Sequence, residues 1–266
     1  MSELGTAFSP PFVAALIFVL MIAGLAYERR LDFVVRELPD WPSRVAGVGL
    51  LTFVLALCVF LPLAAPMPEI EDPADLNFAG LFVAHTLIVV FLVIWWLLAG
   101  RISLTEYLLL QEPTADDLRA GISLGAVGWA ATIAVTAAAG ALLLGEPEAL
   151  GSSQPAKVML WLARLPVWQK LIVIFVAMTV EEMFFRGFLQ PRIGLAPSTI
   201  LFTLAHASYG MPLMLLSIFT FSMVLGLFFA RSGRLLPCIV AHGVFDAVQL
   251  LVVLPWALEM MEHGVK

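Results

Sequence analysis

The chain has 266 residues, 61% of them hydrophobic and 13% charged, with a net charge of −6. Soluble domains carry roughly a quarter charged residues, so this composition belongs to a polytopic, all-α membrane protein. No basic cluster is available to bind nucleic acid, and Cys58 and Cys238 both sit in apolar runs, where a cysteine behaves as a small hydrophobe rather than half of a disulfide.

A membrane span needs about 20 mostly apolar residues, with about 17–25 the usual range. The first such run, 10–27, follows Glu3 rather than a lysine or arginine, and no small-residue cleavage site precedes Glu28-Arg29-Arg30. It is therefore expected to be a span and not a signal peptide. Further apolar runs at 44–65, 78–99, 121–144, 166–190, 195–209, 211–230 and 235–258 bring the expected total to eight spans, the sixth of them short. Between them, the acidic segment 68–77, the segment 111–119 and the segment 145–155 read as loops. In the second of these, Thr114 and Asp116 are expected to cap the helix that enters the fourth span. Residues 157–164 read as a short interfacial helix with Trp161 at headgroup level. No repeat or soluble domain interrupts the pattern. Residues 1–266 are expected to form one integral membrane domain, with a motif-bearing half over 166–255.

Lysine and arginine set the orientation. With the 28–44 loop inside, Arg29, Arg30, Arg36, Arg44, Arg101, Arg119, Arg186, Arg192, Arg231 and Arg234 fall on the cytoplasmic side, against Lys157, Arg164, Lys170 and Lys266 outside. The positive-inside rule then places both termini outside. The expected location is the cell membrane, crossed several times.

An ionisable side chain at mid-bilayer costs about 2.5–3.5 kcal/mol on insertion scales, so each one is a functional candidate. The fifth span holds Glu181, Glu182 and Arg186, the sixth His206, and the eighth His242 and Asp246. His85 in the third span stands apart from these and reads as a satisfied core histidine. Glu182 and Arg186 are four residues apart, about 40° around the helix axis, with the acid N-terminal to the base, which favours an ion pair. Glu181 points elsewhere, about 100° from Glu182 and about 140° from Arg186.

Depth groups these residues further. Counting about 1.5 Å per residue from the expected cytoplasmic ends, Glu181, His206 and Asp246 lie roughly 15–16 Å deep and His242 roughly 10 Å deep. His242 and Asp246 share a face, and three helices thus deliver these groups to one level. Two chemistries suit such a set. Two histidines with carboxylates can hold zinc with an open position for water, although no HExxH pair is present. Alternatively, without any metal, a buried glutamate takes a proton from water while imidazole N–H groups stabilise the oxyanion that forms.

The stretches EEMFFR (181–186), FTLAH (202–206) and HGVFD (242–246) resemble, in order, the EExxxR, FxxxH and Hxxx(Asn/Asp) motifs of the CAAX protease and bacteriocin-processing family. That family comprises glutamic intramembrane proteases and includes the type II CAAX prenyl endopeptidases. The resemblance covers roughly 166–255. It implies that Glu181 activates water with the help of His206, that His242 and Asp246 form the oxyanion-stabilising pair, and that Glu182 and Arg186 are the supporting clamp, with no cofactor. Many members carry asparagine where this chain has Asp246, and an aspartate donates a hydrogen bond only when protonated, so here it either is protonated or orients His242. Phe202, one turn before His206, reads equally well as core packing.

The reading that follows is an intramembrane endopeptidase acting on a membrane-associated or lipid-anchored peptide or protein. The alternative is a non-catalytic membrane scaffold or regulator on the same fold. A proton- or ion-coupled transporter ranks behind both, because no repeated halves or Gly/Pro-broken helices in corresponding positions are visible.

Overall fold

A computed structural model describes residues 9–64, 76–142 and 154–264. Most of the expected loops at 68–77 and 145–155 lie outside the described residues, as do Glu3 and Lys266. The described residues are helical, with no strand among them. In chain order the helices are α1 (Pro10–Tyr27), α2 (Phe33–Glu37), α3 (Trp41–Cys58), α4 (Phe60–Ala64), α5 (Val83–Leu98, preceded by a 3-10 turn at Phe78–Phe82), α6 (Leu104–Leu108), α7 (Ala115–Leu142) and α8 (Gln154–Arg164). They are followed by α9 (Val167–Glu182), a π-helical stretch (Met183–Leu189), α10 (Gln190–Ile193), α11 (Leu195–Leu204), α12 (Pro212–Ser232), α13 (Leu235–Val248), a second π-helical stretch (Gln249–Val253) and α14 (Leu254–Gly264).

Among the described residues, six helical runs are long and apolar enough to cross a membrane: Pro10–Tyr27, Trp41–Ala64, Phe78–Leu98, Ala115–Leu142, Pro212–Ser232 and Leu235–Met260. The protein is therefore an all-α, multi-pass integral membrane protein. The expected count of eight is not reached, for two reasons. The run from 167 to 193 is continuous but broken in type by its π-helical turn and loaded with charge. The sixth expected span, α11, has only 10 residues. At about 1.5 Å per residue it is half the length a crossing needs.

Local chemistry sets the boundaries. Asp40 starts α3 by accepting the Ser43 backbone N–H at 2.8 Å, with a proline in the first turn. The break at Val59 precedes Pro62, which has no N–H to offer the Cys58 carbonyl. At the head of α7, Thr114 Oγ1 accepts the Asp117 N–H at 3.2 Å while Asp117 Oδ2 accepts the Thr114 N–H at 2.8 Å, a reciprocal capping box. The expected partner, Asp116, instead faces outward and pairs with Arg119. Asp117 also receives the Arg234 guanidinium, which ties the start of α7 to the start of α13. The short helix expected before the fifth span is present as α8.

Small residues bring the helices together closely enough to shape a site. A Cβ on Gly125 of α7 would sit 2.9 Å from the Ala241 carbonyl oxygen of α13, and one on Gly121 would sit 2.5 Å from Val240 Cβ. Transmembrane helices associate by such close backbone approach rather than by a hydrophobic drive. Gly243 of α13 gives the same allowance to Met178 of α9, since an added Cβ would lie 2.3 Å from its sulfur. On the other flank, Phe91 and Trp95 of α5 pack on Phe184 and Phe188 of the π-helical stretch at ring separations of 5.1–5.6 Å.

Candidate active site

The π-helical stretch begins at the residue after Glu182. π turns are rare and appear frequently at functional sites, and this one widens the helix where its charges lie. Its loosened ladder is held from outside: Ser198 Oγ of α11 donates to the Phe185 carbonyl at 2.8 Å, and Arg192 Nη1 donates to the Phe188 carbonyl at 2.8 Å.

The expected clamp forms. Arg186 Nη1 donates to Glu182 Oε1 at 2.8 Å, with the two side chains only 1% and 0% exposed. Burial that complete demands compensation for both charges. Arg186 Nη2 donates to Ser222 Oγ at 2.9 Å and to the Ser222 carbonyl at 3.3 Å, and the guanidinium lies over the Phe202 ring, 4.5 Å from its centroid. One turn on, Gln190 Nε2 donates to the Gly226 carbonyl at 2.7 Å. The Arg186–Ser222 and Gln190–Gly226 bonds thus form two rungs joining α12 to the π-helical stretch and the start of α10.

His242 meets Glu182 rather than Glu181. Its Nδ1 lies 2.8 Å from Glu182 Oε1 and its Nε2 lies 3.5 Å from Asp246 Oδ2. A carboxylate accepts, so Nδ1 carries the hydrogen. Glu182 Oε1 therefore receives both Arg186 and His242, and buried Oε2 has no protein partner among the described residues. The sequence separates clamp from oxyanion pair; the structure joins them through this one oxygen.

His206 closes α11, and its Nδ1 donates to the Phe202 carbonyl at 2.8 Å. That bond fixes the tautomer and leaves Nε2 as the free nitrogen of the neutral ring. Phe202 stands between the histidines, its ring centroid 5.0 Å from that of His206 and 6.1 Å from that of His242. Tyr209 stacks on the outer side of His206 at 6.0 Å.

Glu181 points away from the clamp, as its helical position requires. Its side chain keeps 12% exposure where Glu182 has none. It lies within electrostatic range of His206 and His242. No direct hydrogen bond joins it to either histidine among the described residues. Its partner is instead His85, whose Nε2 lies 3.0 Å from Glu181 Oε1. The solitary core histidine of the sequence reading is thus part of the cluster. One signal could have found it: His85 lies 13 residues from Leu98 and Glu181 lies 12 from Ile193, a matching depth of about 18–20 Å. No group of three or more His, Cys, Asp or Glu side chains among the described residues is placed to hold one metal ion.

Residues 163–248 match the family model described as type II CAAX prenyl endopeptidase Rce1-like. Over 80 residues the chain is 35% identical to the uncharacterized protein YpbD of Bacillus subtilis (strain 168), a stretch that makes up 29% of this chain and 42% of that relative. The match thus spans less than half of the curated relative's length. No solved structure matches the chain. All three motifs fall inside the segment matched to that family model.

Proposed function

We propose, from this kinship and from the cluster around Glu181, that the protein is an intramembrane endopeptidase of the glutamic type. Glu181 Oε2 takes a proton from water, assisted by the free Nε2 of His206, as the water oxygen bonds to the peptide carbonyl carbon. The negative charge that develops on the carbonyl oxygen is met by His242 as an imidazolium, whose Nδ1–H is committed to Glu182 and whose Nε2–H, beside Asp246, is the donor left for the substrate. The tetrahedral adduct then breaks at its C–N bond, and the proton held by Glu181 passes to the leaving amine. Asp246, beside His242 Nε2, orients that ring in place of the amide many relatives carry. Glu182 and Arg186 hold the helix in register.

The observation that carries this reading is the division of labour between neighbouring glutamates. Glu182 is sealed, with Oε1 shared by Arg186 and His242, whereas Glu181 retains exposure and lies within electrostatic range of two further imidazoles. A scaffold gains no stability from an ionisable group kept in that state. The substrate class is a membrane-associated or lipid-anchored peptide or protein, and the location is the cell membrane.

The test is cleavage, in detergent or liposomes, of a panel of tail-anchored and prenylated peptides by the wild type, Glu181→Gln and Glu181→Ala, with and without a chelator. Cleavage abolished by both substitutions and unaffected by chelation is the expected result. Loss on chelation would move the chemistry to a metal. A Glu181→Ala protein that still performs its cellular role would leave the scaffold reading in its place.

A further inference from the structure

His85 lies outside the segment matched to the family model, on a helix with no recognisable motif, yet among the described residues it is the one side chain that hydrogen-bonds Glu181. Both of its ring nitrogens face oxygen. Nδ1 lies 3.2 Å from the Leu81 carbonyl, one turn earlier on the same helix, and Nε2 lies 3.0 Å from Glu181 Oε1. A backbone carbonyl only accepts, so Nδ1 must carry a hydrogen. The 3.0 Å contact on the other side then requires a second proton, resident on either Nε2 or the carboxyl group. The two residues are therefore a dyad that shares one proton, anchored at its far end to backbone.

We propose that His85 is a positioning residue for Glu181: it occupies Oε1 and thereby presents Oε2 to the water. The inference rests on the proposed protease reading for its catalytic consequence, but the dyad itself does not depend on it. Burial supports the assignment, since the His85 and Glu181 side chains are 20% and 12% exposed, and a carboxylate with one anchored oxygen loses the rotamers that a free one would sample. Phe82 shields the imidazole, its ring centroid 6.3 Å away. The other ionisable groups facing this pair are Cys58 of α3, His206 and Tyr209 of the α11–α12 turn, and His242 and Asp246 of α13. Among the described residues none of these groups makes a hydrogen bond to Glu181 like that of His85. During the reaction the water proton goes to Oε2 and later to the amine, while the shared proton stays on His85 Nε2 and is donated to Oε1, which keeps Glu181 a carboxylate able to act as the base. His85 thus ends each turnover as it began.

Two arms test this. In the first, His85→Ala and His85→Gln are compared with wild type in the peptide assay. Displacing a reacting group by about an ångström can cost about 100-fold, so His85→Ala is expected to lower kcat by about 10- to 100-fold with KM unchanged. His85→Gln, whose amide N–H can still donate to Oε1, is expected to restore most of that rate at equal thermal stability. Wild-type kcat in His85→Ala overturns the proposal. So does an equal loss in both variants that follows their loss of folded protein, which marks a packing residue. The second arm needs no proteolysis. The chain has 4 histidines, so each ring is assigned in a ¹⁵N-histidine spectrum by its own substitution. Glu181→Gln is expected to shift the His85 Nε2 resonance and to leave Nδ1 protonated. An unmoved Nε2 overturns the dyad. A moved Nε2 in a protein that cuts no peptide keeps the dyad and discards the protease.

Discussion

Replacing Arg186 with methionine keeps the length of the side chain and removes its charge, which isolates what the clamp contributes. The guanidinium makes three hydrogen bonds, to Glu182 Oε1 at 2.8 Å, Ser222 Oγ at 2.9 Å and the Ser222 carbonyl at 3.3 Å, and it covers the Phe202 ring. Its removal leaves Glu182 charged at 0% exposure with His242 as its remaining hydrogen-bond donor. Removing one partner of a buried pair costs about 3–5 kcal/mol, mostly from the stranded charge. His242 relieves part of that, so a value near 3 kcal/mol is expected. Glu182→Gln in the same background removes the stranded charge, and the glutamine oxygen still accepts the His242 Nδ1–H. The double variant should therefore be more stable than Arg186→Met by about 2 kcal/mol, within the range of couplings between contacting residues. The assay is reversible unfolding in mixed dodecylmaltoside–SDS micelles, followed by tryptophan fluorescence. A loss under about 1 kcal/mol for Arg186→Met, or a double variant whose loss is the sum of the two singles, would refute the argument.

Two further predictions concern how the helices are held. Gly125→Leu pushes a side chain into the Ala241 carbonyl, 2.9 Å from where its Cβ would stand, and a backbone atom cannot swing aside. Overpacking of this kind costs about 1–3 kcal/mol. Because Ala241 precedes His242, the same unfolding assay should show the stability loss and the peptide assay a fall in kcat. Thr114→Ala removes the hydroxyl that accepts the Asp117 N–H at the head of α7, with an expected loss of about 1 kcal/mol that Thr114→Ser recovers in the same micelles.

What the sequence made legible follows from which interactions are local. Glu182 and Arg186 are four residues apart on one helix, and the wheel alone placed their contact. The three motifs are local as well, so the candidates Glu181, His206, His242 and Asp246 were readable before any coordinate. The division of roles between helices was not. That His242 binds Glu182 while Asp246 stands 3.5 Å from its other nitrogen depends on how α13 docks on α9, which is set by the fit of Gly243 around Met178. His85 was misread because a single polar residue in an apolar helix carries no partner in its own neighbourhood; its partner is 96 residues away. The sixth expected span failed for a different reason. Apolar content over 195–209 predicts burial, and α11 is buried, but it is buried against α12 and the π-helical stretch rather than stretched across a bilayer.

The half of the chain without motifs is also the half that confines Glu181. Glu37, at the end of α2, accepts from Arg192 at 3.0 Å and from Trp95 Nε1 at 3.1 Å, so one carboxylate joins α2, α5 and α10. Arg192 lies over the Phe188 ring at 4.1 Å, and Phe188 packs between Phe91, Trp95 and Tyr107. The π-helical stretch that follows Glu182 is thus gripped on one side by α12, through Arg186 and Gln190, and on the other by α5 and α6, through its phenylalanines. A π turn offers a strained and weakly bonded backbone, and one left to itself would relax to the α form. Relaxation would rotate Glu181 relative to Arg186 and separate it from His85. The aromatic wall contributed by α5 therefore has a structural consequence: it holds the turn after Glu182 in the register in which Arg186 meets Glu182 while Glu181 meets His85.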